Sequence, residues 1–279
     1  WGQAASPAAV RAAAAAIPGL RAVLLTHNET STGVTNRIDD LAATIREVAP
    51  DALILVDAIS ALGAVPFSMD DWGLDLVVTG SQKAWMAAPG MAAAAVGPRA
   101  WAAMETARMP RFYLDLRRHR DSAANGETPW TPAVAVLFQI DEGLRLMQAE
   151  GDGVFARHET CAAMTRTGLR AIGFELLADD AVASRTVTAV RLPEGVEWKS
   201  FNDAAKARGL VLAGGQGRLK GRIFRVGHLG SVTEDDILAA IGVIEAVAIE
   251  HGLPVEPGAA VSAAQRARLA VRAREGVPA

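Results

Sequence analysis

The sequence predicts an α/β fold: a mostly parallel sheet lying between helices, followed by a smaller α+β unit. Two observations carry this expectation. Over the first half, short apolar runs such as Leu53–Asp57 (LILVD) and Leu74–Thr79 (LDLVVT) alternate with helix-period segments. Strands that are almost continuously apolar are strands covered on both faces, the usual condition of a parallel sheet. After Glu150-Gly151-Asp152-Gly153 the pattern changes to helices separated by single strands. That change divides the chain into a first domain, 1–152, and a second, 153–279. No internal repeat is visible.

The elements follow in order. Ser6 before Pro7 has the form of a cap and first-turn proline, for a helix reaching about Ala16. Leu20–Thr26 reads as a buried strand. From Arg37 to Ala49 the apolar residues Ile38, Leu41, Ile45 and Val48 fall on one helical face. Leu53–Asp57 and Leu74–Thr79 are the next strands, with a fourth over Met91–Val96. Met109–Thr131, irregular and rich in Arg, Pro and Gly, reads as a long surface loop. A helix from Pro132 to about Ala149 is expected to bury Leu137, Ile140, Leu144 and Met147. Beyond the boundary, helices are expected near 155–172, 200–208 and 234–251, strands near 186–192 and 222–226, and a short closing helix after Pro254.

Composition narrows the function classes. With 51% hydrophobic and 21% charged residues in 279, the chain has a core to bury and is not of disordered type. No run approaches the ~20 continuous apolar residues of a spanning helix. A formal charge of −3 argues against a nucleic-acid surface or an anionic-membrane partner. The single cysteine, Cys161, excludes an internal disulfide and fits a reducing cytoplasm; in mid-helix on an apolar face it reads as a core residue. The five histidines lack metal-ligand spacing, so no metal is expected. Gly214–Arg218 is glycine-rich but lacks the Lys-Ser/Thr of a nucleotide loop. The chain starts at Trp1 with a helix close behind it and no signal peptide, which reads as an incomplete N-terminus.

Three segments carry chemistry together: Thr26-His27-Asn28-Glu29-Thr30-Ser31-Thr32-Gly33, Val56-Asp57-Ala58-Ile59-Ser60, and Gly80-Ser81-Gln82-Lys83. Each follows an expected strand, so all three should meet at the carboxyl edge of the sheet, where such sheets bind ligands. Singly, each has an ordinary explanation: Asp57 as a turn or cap, Lys83 as a solvated cation, Thr-Ser-Thr-Gly as a turn. Jointly they match the needs of pyridoxal phosphate. That cofactor requires an amine to condense with its aldehyde, a carboxylate to keep its pyridine nitrogen protonated, and donors for its ring oxygen and phosphate. Lys83, Asp57, Thr30, Ser81 and Gln82 supply those types.

The segments HNETSTG, LVDAISALGAVP, GLDLVVTGSQKAWMAAPG and RIFRVGHLGSV together resemble the class V aminotransferases, over about Trp1 to His251, and most of all the alanine–glyoxylate and serine–glyoxylate (serine–pyruvate) branch. The resemblance implies the fold-type-I architecture of pyridoxal-phosphate enzymes and a homodimer with shared active sites. It places the cofactor-holding lysine at Lys83 and the pyridine-nitrogen carboxylate at Asp57. Thr30 would lie by the ring oxygen, Gln82 by the phosphate, and Thr131 by the phosphate of the neighbouring subunit. Arg225 would clamp the substrate α-carboxylate, a task suited to the parallel donors of a guanidinium. Thr128 stands where the family often has an aromatic residue. The family's phosphate loop and stacking ring would fall before Trp1.

The implied reaction is ping-pong transfer of an amino group from alanine or serine to glyoxylate or pyruvate, with amino acids and 2-oxo acids as partners. Desulfuration needs a mobile loop cysteine, which Cys161 is not. Pyridoxamine–pyruvate or aminoethylphosphonate transamination, a lyase reaction, and an inactive remnant stay open as alternatives.

Overall fold

The computed structural model describes residues 1–275. Helix α1 (Pro7–Ala15) starts at Ser6, whose hydroxyl accepts the Ala9 N–H at 3.2 Å. Strand β1 (Ala22–Thr26), the short hairpin β2 (Asn28–Glu29) and β3 (Val34–Thr35), helix α2 (Ile38–Val48), and strands β4 (Leu53–Asp57), β5 (Leu76–Gly80) and β6 (Ala92–Val96) follow. The main sheet has the order β1-β4-β5-β6. Its first three strands are parallel and β6 is antiparallel. Thr26 pairs with Asp57, and Asp57 with Val78, so the strands end level with one another.

Helix α2 lays Ile38 and Ile45 on Ile54, Val56 and Val77, the apolar stripe expected of it. At the amino edge the sheet is closed electrostatically. Asp75 is buried, accepts the Ile54 N–H at 2.7 Å, and pairs with Arg46 at 2.6 Å and Arg99 at 3.3 Å. A buried carboxylate held by two guanidiniums and a backbone donor is tolerable only because all of them are present.

Helices α3 (Pro98–Thr106), α4 (Leu116–Ala123) and α5 (Val134–Glu150) connect to the second unit. There α6 (Gly153–Ala171), β7 (Val187–Arg191), α7 (Trp198–Ala207), β8 (Ala213–Gly214), β9 (Ile223–Gly227), α8 (Glu234–Glu250) and α9 (Ala259–Glu275) build an antiparallel sheet of order β7-β9-β8 with helices on it. Met164, Phe201, Phe224, Ile241 and Ile244 form its core. Cys161 is buried in that core, and burial pushes its thiol up to about 12, far from a nucleophile.

The structure corrects three expectations. The stretch 109–131 contains α4, started by Asp115, whose carboxylate accepts the Arg117 N–H. The closing helix, α9, is 17 residues long and lies along α6 and α8. Helix α5 does not bury its apolar stripe: Leu137 and Leu144 are 39% and 37% exposed, and Gly143 is its buried residue. A Cβ at Gly143 would stand 2.3 Å from the Trp85 carbonyl oxygen. The helix therefore approaches the sheet through a bare patch of backbone, with Ile140 and Met147 half-buried beside it and Leu137 and Leu144 left exposed.

Helix α9 is capped from outside. Glu245 of α8, itself buried, accepts the Gly258 and Ala260 N–H groups at 2.7 and 2.6 Å. Glu245→Ala is expected to cost about 2–3 kcal/mol, since it removes two charge-assisted bonds at a helix start. Urea unfolding measures it, and a loss below about 0.5 kcal/mol would show that packing alone holds α9.

Two histidines are kept neutral by burial. His27, against Phe67 and Trp72, is lowered to about 4 by desolvation, with Asp39 opposing, and its Nδ1 has no partner. His228 donates from Nδ1 to the Arg185 carbonyl and so accepts the Thr188 hydroxyl at Nε2; burial lowers it to about 3. The unfolded chain takes up these protons near 6.5 whereas the folded chain refuses them. The stability they contribute is therefore complete above about pH 6.5 and is lost as pH falls towards 4. Melting temperature should fall between pH 7 and pH 5, and a flat profile would mean that both imidazoles accept protons in the fold.

Candidate active site

Level strand ends put three loops on one edge. After β1 the chain turns through His27 into the β2–β3 hairpin, held by Asn36, whose side chain donates to the Thr26 carbonyl at 2.8 Å. Gly33 closes the hairpin at φ +69°, and a Cβ there would be 3.1 Å from backbone atoms of Val187 and Ala189. The hairpin thus leans on β7 and ties the two units together, with the Ser184 N–H donating to the Gly33 carbonyl at 2.8 Å.

Asp57 ends β4 with an exposed side chain, and its Oδ1 accepts the Ile59 N–H at 2.9 Å. After β5, Ser81 is buried and its hydroxyl bridges the loop, donating to the Ala88 carbonyl at 2.7 Å and accepting the Met91 N–H at 3.3 Å. Within that loop Lys83 begins a turn closed by the Met86 N–H on its carbonyl at 3.0 Å. Met86 takes φ +62°, a left-handed conformation that costs a side chain about 1 kcal/mol or more and that neighbours must enforce.

Lys83 opens into a cleft of about 410 Å³ between the two units, shared with Glu29, Thr30, Ser60, Gln216, Arg225 and Leu229. Arg225, in the middle strand of the second sheet, donates from Nε to the Gly214 carbonyl and from Nη1 to the Thr30 carbonyl, both at 3.1 Å. These bonds fix the plane of the guanidinium. Burial lowers its proton affinity while Glu29 opposes, and arginine stays charged regardless. Two cations and one carboxylate face the cleft, which suits an anionic ligand. Lys199, by contrast, spends its charge on Asp203 at the surface.

Of the residues singled out from sequence, Lys83, Thr30 and Arg225 share this cleft. Asp57 and Gln82 lie on the neighbouring strand ends outside its walls; the Gln82 side chain folds back over Gly80, where a Cβ would meet its Oε1 at 2.8 Å. The Ser81 hydroxyl is committed inside its loop, and Thr131 stands exposed after α4. Sequence reasoning did not single out Asn28, Ser60 and Thr186, which build a buried polar network beside the cleft. Asn28 donates to Ser60 at 2.8 Å and to Thr186 at 3.1 Å, and Ser60 returns a bond to the Asn28 carbonyl at 2.8 Å. Asn28 and Ser60 sit inside the motifs already quoted, whereas nothing local marks Thr186.

The donor set fits pyridoxal phosphate: an amine and hydroxyls in a cleft of small-molecule size, a carboxylate at the adjoining strand end, and a guanidinium opposite. Residues 8–220 match the family described as aminotransferase class V. The chain is 48% identical over 236 residues to the soluble hydrogenase small subunit of Synechococcus, covering 83% of this chain and 60% of that protein. It is 34% identical over 274 residues to the serine–glyoxylate aminotransferase of Methylorubrum extorquens, covering 95% and 68%. The crystal structure of pyridoxamine–pyruvate aminotransferase from Mesorhizobium loti superposes with a TM-score of 0.90 at 32% identity, over 98% of this chain and 70% of that one. The chain spans about 60% of the length of the first curated relatives it matches. Family match, sheet topology and cleft agree, and the chain belongs to the class V aminotransferases, a family of pyridoxal-phosphate enzymes of fold type I.

Proposed function

We propose that the protein transfers an amino group from a small amino acid, alanine or serine, to glyoxylate or pyruvate in two half-reactions at this cleft. The observation that carries the reading is Lys83 and Arg225 lining one cleft of about 410 Å³, an amine and a carboxylate clamp. The bound cofactor supplies an electron sink for the carbanion at the substrate Cα. Lys83 would hold the cofactor, and its amine is the group that would carry a proton from and to the substrate Cα. Arg225 grips the α-carboxylate of donor and acceptor alike, which lets one site serve both half-reactions. Asp57 would keep the pyridine nitrogen protonated, Thr30 would orient the ring oxygen, and Gln82 and Ser81 would serve the phosphate side. Ser81 acts there through its loop, because its hydroxyl is already bonded within it.

The protein works in the cytoplasm as a homodimer, with Thr131 reaching the partner's phosphate site. Exposed Phe138 and Leu146 on α5 and the exposed aromatic pair Phe112 and Tyr113 support an apolar contact there. The hydrogenase name belongs to the Synechococcus relative that bears it, and the amine and guanidinium of this cleft support transamination. Likeness to the pyridoxamine–pyruvate enzyme supports pyridoxamine as the second donor to be screened.

Purified protein with added pyridoxal phosphate should show a visible absorbance band that alanine or serine bleaches. The band should be absent in Lys83→Ala; its survival there would refute the assignment of Lys83. Arg225→Ala should keep the band and lose about 100-fold in kcat/KM, mostly through KM, as expected for removing one side of a paired charge contact. An unchanged KM for alanine would place the carboxylate elsewhere.

A further inference from the structure

We propose that Arg157 and His158, adjacent on the first turns of α6, are positioning residues that clamp the segment after β9 and so set which donor side chains the cleft accepts. The inference rests on reading the cleft as the transamination site. Leu229 lines the cleft, and Gly230 follows it directly. His158 is 1% exposed and its Nδ1 lies 2.6 Å from the Val154 carbonyl, so that nitrogen carries the proton. Its Nε2 is then an acceptor, and it receives the Gly230 N–H at 3.1 Å. Arg157 grips the same residue from the other side, with Nη1 donating to the Gly230 carbonyl at 2.8 Å and to the Val232 carbonyl at 2.9 Å. The rest of its fork is held by Glu150 at 2.7 and 2.8 Å, which leaves the guanidinium no slack.

Gly230 is thereby pressed against the lysine turn. It takes φ +81°, and a Cβ on it would stand 3.3 Å from Met86 Cγ and 3.5 Å from the Lys83 carbonyl. The two ends of the segment are secured differently. Arg225 lies in β9, bonded on both sides to β7 and β8, and needs no clamp. Leu229 lies beyond the last paired residue, Gly227: before it His228 is still tied to the β7 side, its N–H donating to the Thr186 carbonyl at 2.9 Å, and after it Gly230 is held by α6. The carboxylate clamp is therefore set by the sheet alone, whereas the side-chain wall needs Arg157 and His158 to fix its far end. A wall held to a fraction of an ångström is what a site needs to reject one added methylene, a discrimination of about 10-fold or more.

The test compares His158→Leu and His158→Gln with wild type in the cofactor-loaded protein. Leucine removes the acceptor, whereas the glutamine carbonyl can take the Gly230 N–H. In His158→Leu, amide exchange at 229–232 should accelerate about 100-fold while α8 stays protected, the mark of local opening. The kcat/KM ratio of alanine over 2-aminobutyrate should fall at least about fivefold through KM, with His158→Gln restoring it. If His158→Leu does not fold, Arg157→Met removes the two carbonyl contacts and is read the same way. Unchanged exchange would overturn the clamp, and faster exchange with an unchanged ratio would overturn its role in donor choice. If wild type transaminates neither amino acid, the reading of the cleft fails, and exchange alone decides whether the clamp exists.

Discussion

Everything at the cleft depends on the level register of three parallel strands. Because Thr26, Asp57 and Val78 stand side by side, the chain leaves β1, β4 and β5 at one edge, and the loops after them must share that space. A parallel pair fixes this without adjustment, since both strands run towards the same edge and a shift of one residue would also turn each side chain to the opposite face. The opposite edge is closed by Asp75 with Arg46 and Arg99, which satisfies a carboxylate that burial would otherwise make costly. One edge is thus a locked end, and the other is free to carry polar loops.

Strand ends bring Lys83 to the right edge, but its orientation comes from packing. Met86 holds a left-handed backbone, and three glycines leave room for the turn. Gly143 of α5 meets the Trp85 carbonyl, Gly230 meets Met86, and a Cβ at Gly63 would be 3.2 Å from the Trp85 ring and 2.8 Å from Met147 Cε. A strained turn persists only where its surroundings over-determine it. Here those surroundings come from the loop after β4, from α5 and from the segment after β9. The cleft is correspondingly a joint product: Glu29, Thr30, Ser60 and Lys83 from one side, Thr186, Gln216, Arg225 and Leu229 from the other.

Legibility in the sequence followed the range of the interactions. Ser6, the stripe Ile38-Leu41-Ile45 and the strand Leu53–Asp57 were readable because cap, helical period and apolar run are local signals, and the structure has each where expected. The stripe on α5 misled for the same reason. Period reports which side is apolar, but close approach at Gly143 decides which side faces the protein. Asp115 was a readable cap inside a stretch whose Arg, Pro and Gly content suggested only loop. Ser81 was readable as a hydroxyl just after a strand, while the use of that hydroxyl within the loop depends on Ala88 and Met91, which no spacing rule selects.

By itself the sequence determined most of the strands and helices, the family through its strand-end motifs, and the candidacy of Lys83, Asp57 and Arg225. These follow from chain-local chemistry: apolar runs must be buried, caps and turns need particular residues, and an amine, a carboxylate and hydroxyls after successive strands together meet one cofactor's needs. Only the tertiary structure decided which of those residues share a cleft, that Asn28, Ser60 and Thr186 tie its walls together, and that Arg157 and His158 reach across from α6 to hold Gly230. Such contacts join residues as far as 195 positions apart, as between Thr30 and Arg225. Their geometry is set by how elements far apart in the chain pack together, a property of shape and close packing that no local stretch of chain encodes.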